Sequence, residues 1–222
     1  GLTMEKSLNT YMRQVYLYML IAIVVTGLSA LLSIHVFGVV LMSLPAFLVM
    51  VAVQLLLVTV IARQISSNTL SKPQMLTLFF GFTILEGVTL SPILAFAPMQ
   101  AVIMATVSSV VLFAVLSAIG LVTKRDLSGW GTMLMASLIA IIVVSLLSLF
   151  FIQVTILTTI IAIASVIVFA GFTVYDSQQI KAQYLQSDSE RDDVTAINGA
   201  LSLYLDFINL FINLLRLFSN SR

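Results

Sequence analysis

The chain has 222 residues, of which 60% are apolar and only 9% charged, with a formal net charge of +1 and no cysteine. Soluble domains carry about a quarter charged residues, so this composition excludes that class, and the missing cysteines exclude a disulfide framework or a thiolate site. No basic run or stripe marks a nucleic-acid partner.

Apolar runs close to the ~20 residues that cross a bilayer core recur along the sequence. In chain order they are Val15–Phe37, Val40–Ala62, Met75–Ala97, Ala101–Thr123, Met133–Ile152, Ile156–Tyr175 and Ile197–Phe218. The reading is an all-α polytopic membrane protein of seven transmembrane helices, with one membrane domain over residues 1–222. Residues 1–14 are expected as a cytoplasmic N-terminal segment and 177–196 as a cytoplasmic loop. The first run lacks the short core and small-residue cleavage site of a signal peptide, so it is expected to stay in the membrane. Short joints such as "PMQ" before Ala101 and "QVT" before Ile156 predict antiparallel hairpins.

Basic residues set the orientation. Lys6 and Arg13 precede the first run, Arg63 and Lys72 flank the second loop, Lys124 and Arg125 lie in the fourth, and Lys181 and Arg191 in the sixth. The odd-numbered loops contain no Lys or Arg, so the positive-inside rule predicts a cytoplasmic N-terminus. If the seventh segment spans, Arg216 and Arg222 fall on the other side. If it dips in and returns, all ten basic residues are cytoplasmic.

That seventh segment, "GALSLYLDFINLFINLLRLF", carries Asn198, Ser202, Asp206, Asn209, Asn213 and Arg216 in and around it. Their spacings of four, four, three, four and three follow the helical period, so all six share one face. Lipid rejects such a stripe, and the last helix is therefore expected at the centre, facing a cavity or a polar seam. Interhelical bonding accounts for Ser202 and at least one of the asparagines. An intramembrane acid such as Asp206 is by default a functional candidate.

Asp176, in "FTVYDSQQIK", ends the sixth run on the side where the seventh begins. At ~1.5 Å rise per residue Asp206 lies ~12 Å below that entrance, within reach of Asp176. Two carboxyls that approach closely cannot both ionise cheaply and titrate as a pair. Arg63, ending the second run on the same side, would favour the charged forms. Together they describe a proton-sensitive latch, with a snorkelling end-of-helix cation as the plainer reading of Arg63. Glu86, in "FTILEGVTLSPIL", falls ~16 Å into the third helix. It is either a protonated structural side chain or the next oxygen ligand on a cation path that starts at the aspartates. Pro92, two turns on, frees a backbone carbonyl that neighbours or water must satisfy. His35, Trp130 and Tyr11 read as interfacial side chains. The run Asp188–Asp193 fails the EF-hand pattern, because Asp193 and Gly199 stand where Gly and Glu are needed, and reads as a solvated loop.

The blocks "FTILEGVTLSPI", "TKRDLSGWG", "TVYDSQQIK" and "GALSLYLDFINLFINLLRLF", with "YMRQVY" near the start, resemble the transmembrane Bax-inhibitor-motif family in its bacterial Bax inhibitor-like branch. The resemblance covers nearly the whole chain. It implies a last helix surrounded by the other six, and a pH-sensitive passive calcium leak in a bacterial inner membrane. It places the family's pH-sensing aspartate pair, and transient calcium contact, on Asp176 and Asp206. It places the latch arginine on Arg63, although "IARQISS" is less basic than the bacterial pattern. Glu86, Asn209 and Asn213 are further candidates along the pathway. Calcium and protons are then cargo and regulator, with no cofactor and no enzymatic activity. The lipid bilayer is the partner, beside membrane proteins that the sequence does not name.

Two other classes compete. A non-conducting regulator of other membrane proteins would co-purify with a partner and pass no ion. An intramembrane aspartyl protease also uses "YD" in one helix and an aspartate in the next, sharing a proton. Its second aspartate follows Gly-x-Gly, whereas here the context is "LYLD", and its Pro-Ala-Leu helix has no counterpart.

Overall fold

A computed structural model describes residues 2–37, 43–150, 155–187 and 191–220, without side-chain detail before residue 7. Residues 188–190 of the acidic run and Arg222 lie outside the described residues. Seven α-helices follow one another: α1 (Leu2–Leu32, extended by a π-helical turn Ser33–Phe37), α2 (Leu44–Ser67), α3 (Lys72–Phe96), α4 (Met99–Val122), α5 (Trp130–Ser148), α6 (Thr155–Gln186) and α7 (Asp192–Asn220). No strand occurs among the described residues. All seven are long and apolar enough to cross a membrane, so the chain is a multi-pass membrane protein.

Several helices outrun the apolar runs that announced them. α1 begins in the polar N-terminal segment, and α6 continues past Tyr175 to Gln186. Hydropathy ends where polar residues begin, but a helix ends only where its backbone finds other partners. α2 stops at Asn68, which takes the left-handed conformation (φ 47°) and donates its N–H to the Gln64 carbonyl. The Gln64 side chain then accepts the N–H groups of Thr69 and Leu70, both at 2.9 Å, and so shapes the turn. α3 starts with a reciprocal cap, Ser71 N–H to Gln74 Oε1 (2.9 Å) and Gln74 N–H to Ser71 Oγ (3.3 Å). Within α3, Pro92 leaves the Val88 carbonyl without its helical donor, and the Ser91 hydroxyl donates to it at 2.7 Å.

The helices group into two compact units. Unit 1 comprises Gly1–Phe96 and Ala182–Tyr204, and unit 2 comprises Ala97–Lys181 and Leu205–Arg222, so α7 gives its first half to one and its second half to the other. In unit 1, α1 packs along α3 and α7. Gly87 permits the closest approach, since a Cβ there would strike the Thr26 carbonyl and lie 2.7 Å from Ser29 Cβ. At the end where α7 begins, Tyr11 donates to Thr195 Oγ1 (2.9 Å) and stacks on Tyr184 at 4.3 Å, while Lys72 pairs with Asp193 at 3.5 Å. In unit 2, α4 turns Ala101, Ala105, Ser109, Phe113, Ser117 and Gly120 inward. Half of α7's apolar window is buried against 6% of α5's, so the last helix is an inner one and α5 faces lipid.

In unit 2, Gly120 on α4 packs so close to α6 that a Cβ there would strike the Val174 backbone carbonyl. Backbone cannot yield as a flexible side chain does, so Gly120→Val is expected to cost about 1–3 kcal/mol through overpacking. Thermal unfolding in detergent should show a lowered midpoint, while Gly27→Ala, where a Cβ meets nothing within 4 Å, should leave it within error.

Candidate functional site

Unit 2 holds the two aspartates, and α4 with its following loop fixes both helices that carry them. On α6, Ser177 Oγ meets Ser117 Oγ at 2.8 Å and donates to the Thr173 carbonyl at 2.7 Å. One residue on, the Gln178 amide accepts the Leu127 N–H (2.8 Å) and donates to the Arg125 carbonyl (2.7 Å), which locks the α4–α5 loop onto α6. Lys181 Nζ reaches the Leu121 carbonyl at 3.0 Å, capping the end of α4. The loop is further shaped by Asp126, whose carboxyl is held below the usual carboxylate range by the Ser128 N–H and hydroxyl. Asp176 therefore stands on a segment pinned on several sides. On α7, Phe207 packs edge-on against Phe113 of α4, with ring centroids 5.8 Å apart, and fixes the rotation of the neighbouring Asp206.

The carboxyls of Asp176 and Asp206 lie close enough to act on each other's ionisation. Asp206 is 4% exposed, and its Oδ2 is buried with no hydrogen-bond partner among the described residues. A carboxylate only accepts, so a hydrogen bond between two carboxyls needs a proton on one of them. The pair is thus a single acid-base unit in a poorly solvated place.

The remaining stripe residues divide. Asn198, in unit 1, donates to the Ile61 carbonyl of α2 (3.2 Å) and to Val194 (3.0 Å), which is interhelical bonding as expected for one of the asparagines. Ser202 donates one turn back to Asn198 at 3.2 Å. Asn209 and Asn213 spend a donor on the carbonyls of Leu205 and Asn209, each at 2.8 Å. Arg216 is exposed. Glu86 lies in unit 1, half-buried on α3, and belongs to a different cluster from the aspartates. Arg63, also in unit 1, is exposed in the last turns of α2 and makes no ion pair among the described residues. Its carbonyl accepts the Ser66 and Ser67 hydroxyls, both at 3.1 Å.

Gln178, Ser177 and Lys181 are positioning residues that the sequence reading passed over. Their signal was present in the blocks "TKRDLSGWG" and "TVYDSQQIK", which the fold joins into one locked assembly.

An all-helical multi-pass fold with two neighbouring acids on its spanning helices defines an integral membrane protein. Comparison with known proteins then names the group. A family model described as "Inhibitor of apoptosis-promoting Bax1" matches residues 8–222, and the chain belongs to that family. It is 38% identical to the inner membrane protein YbhL of Escherichia coli over 222 residues, covering 97% of this chain and 93% of that one. An uncharacterized membrane protein of Streptococcus pyogenes is 40% identical over 169 residues, 76% of this chain and 72% of the relative. An uncharacterized protein of Deinococcus radiodurans is 34% identical across 100% of this chain and 96% of its own length.

Removing the Gln178 amide frees the loop from α6 and strands the Leu127 N–H. Gln178→Ala is expected to cost about 1–3 kcal/mol, and to speed trypsin cleavage after Lys124 and Arg125 in detergent-solubilised protein. Unchanged cleavage kinetics would show that the loop is held by other contacts.

Proposed function

We propose that this chain is a pH-sensitive passive calcium leak of a bacterial inner membrane, with its N-terminus on the cytoplasmic side. The observation that carries the reading is the close pairing of the Asp176 carboxyl with a buried Asp206. While the pair holds its proton the two carboxyls stay together. Loss of the proton leaves two charges that repel strongly where water is scarce, and the helices bearing them must separate, take in water or admit a cation. Such a device changes state with pH and needs no energy source.

Oxygen donors suit a hard cation. Two carboxyls supply at most four of the six to eight oxygens that calcium takes, so a calcium ion here keeps part of its water and passes rather than stays. Asn209 and Asn213, whose amide donors are spent on their own helix, leave side-chain oxygens further along α7 as the next ligands. Arg63 enters as the latch on the resemblance alone. Membership of the family and the inner-membrane relative support the setting, and the proposal assigns no enzymatic step.

The test is calcium entry into liposomes that hold a calcium dye, with purified protein, between about pH 5 and 8. Wild type is expected to show a flux that changes across this range. Asp206→Asn and Asp176→Asn keep the size of the side chain but need no shared proton, and should lose the pH dependence. Arg63→Ala should change the flux at the pH where wild type is slowest. No flux above empty liposomes, from protein that elutes as folded, would discard the leak in favour of a non-conducting regulator.

A further inference from the structure

In unit 2, positive charge gathers where α4 passes into α5. Residues 123–129 join two membrane-spanning helices, so this short connection lies where hydrocarbon gives way to headgroups. Lys124 and Arg125 stand side by side on it, both exposed and without an ion pair among the described residues. Lys181 adds a third cation at the same helix end, because its Nζ lies 3.0 Å from the Leu121 carbonyl, three residues before Lys124. The acid beside them, Asp126, turns an oxygen back on its own loop and accepts the Ser128 N–H at 3.0 Å. The other acids of unit 2, Asp176 and Asp206, are engaged with each other. Three cations thus stand against one exposed acid.

The loop that carries these charges is fixed in advance. Gln178 of α6 accepts the Leu127 N–H at 2.8 Å and donates to the Arg125 carbonyl at 2.7 Å, and the Leu127 side chain is buried. Trp130 closes the turn by donating its backbone N–H to the Leu127 carbonyl at 2.9 Å. A ligand that settles on such a loop does not have to order its backbone first, which is a cost that a mobile loop imposes on binding. Apolar surface adjoins the cations. Val122, the last residue of α4, is 75% exposed, and Met133, in the first turn of α5, is 58% exposed. Trp130, half-buried, opens α5 at the level where aromatic side chains mark the membrane interface. An occupant that satisfies both parts carries an anion joined to acyl chains. A soluble anion would use the cations and leave the apolar residues out.

We propose that the α4–α5 loop is a binding site for the headgroup of an anionic phospholipid, with Lys124 and Arg125 on its phosphate and its acyl chains along the apolar residues at the helix ends. The guanidinium fork of Arg125 suits two phosphate oxygens, and Lys124 supplies a point charge beside it. Lys181 adds to the positive field from α6. The site is separate from the aspartate pair and independent of which ion, if any, the protein carries.

Trp130 is the chain's only tryptophan, so its fluorescence reports on this place alone. The protein is reconstituted in phosphatidylcholine bilayers, and either phosphatidylglycerol or phosphatidylcholine with brominated acyl chains is added, since bromine quenches a tryptophan that it touches. Brominated phosphatidylglycerol should quench with an apparent affinity at least about fivefold above that of brominated phosphatidylcholine, the effect of about one basic residue at an anionic surface. Lys124→Gln combined with Arg125→Gln, both at exposed positions, should make the two lipids equal. Arg13→Gln removes an exposed cation of α1 and should leave the preference as it is, and so should millimolar inorganic phosphate. Equal quenching by the two lipids in wild type would overturn the proposal. So would a preference that outlasts the double substitution, or one that Arg13→Gln weakens as much, because either would reflect general attraction to a charged membrane. Displacement by phosphate would also overturn it, by assigning the cations to a soluble anion.

Discussion

Hydrocarbon offers a polar group nothing to bond to, so each hydroxyl, amide and carboxyl in the spans must find its partner in the protein. Hydroxyls solve this cheaply by donating to a carbonyl one turn back. Ser109, Ser165 and Thr173 do so on Ala105, Ile161 and Phe169 at 2.6–2.7 Å. Ser91 goes further and repairs the carbonyl that Pro92 exposes. An ionised acid has no such escape. It only accepts, and the spare groups of a helix flank are carbonyls, which also only accept. Every acid in the spans must therefore be met by a donor from another helix or carry a proton itself. The placement of Asp176 beside Asp206 follows from that one restriction.

The restriction also explains what the sequence made legible. A stripe of six polar residues at helical spacing reads as an inner helix whatever its partners, and α7 is inner. The meeting of Asp176 with Asp206 was legible from order and rise: Asp176 ends one run, and Asp206 lies about two and a half turns into the next, which starts on the same side. Helix ends were less legible. α6 runs on through Gln178, which grips the α4–α5 loop, and Lys181, which caps the end of α4, contacts across fifty to sixty residues of sequence that periodicity cannot reveal. Register within a pair of helices was equally hidden. "IARQISS" places an arginine beside a glutamine, and the buried one is Gln64, bonded to the turn it closes, while Arg63 is exposed. Charge alone had suggested the reverse emphasis.

In the aspartate pair the first ionisation sets a charge directly against the second carboxyl, so the two protons are not independent and the pair responds as a unit. Repulsion between the carboxylates acts on the helices that bear them, which makes the pair suited to moving backbone.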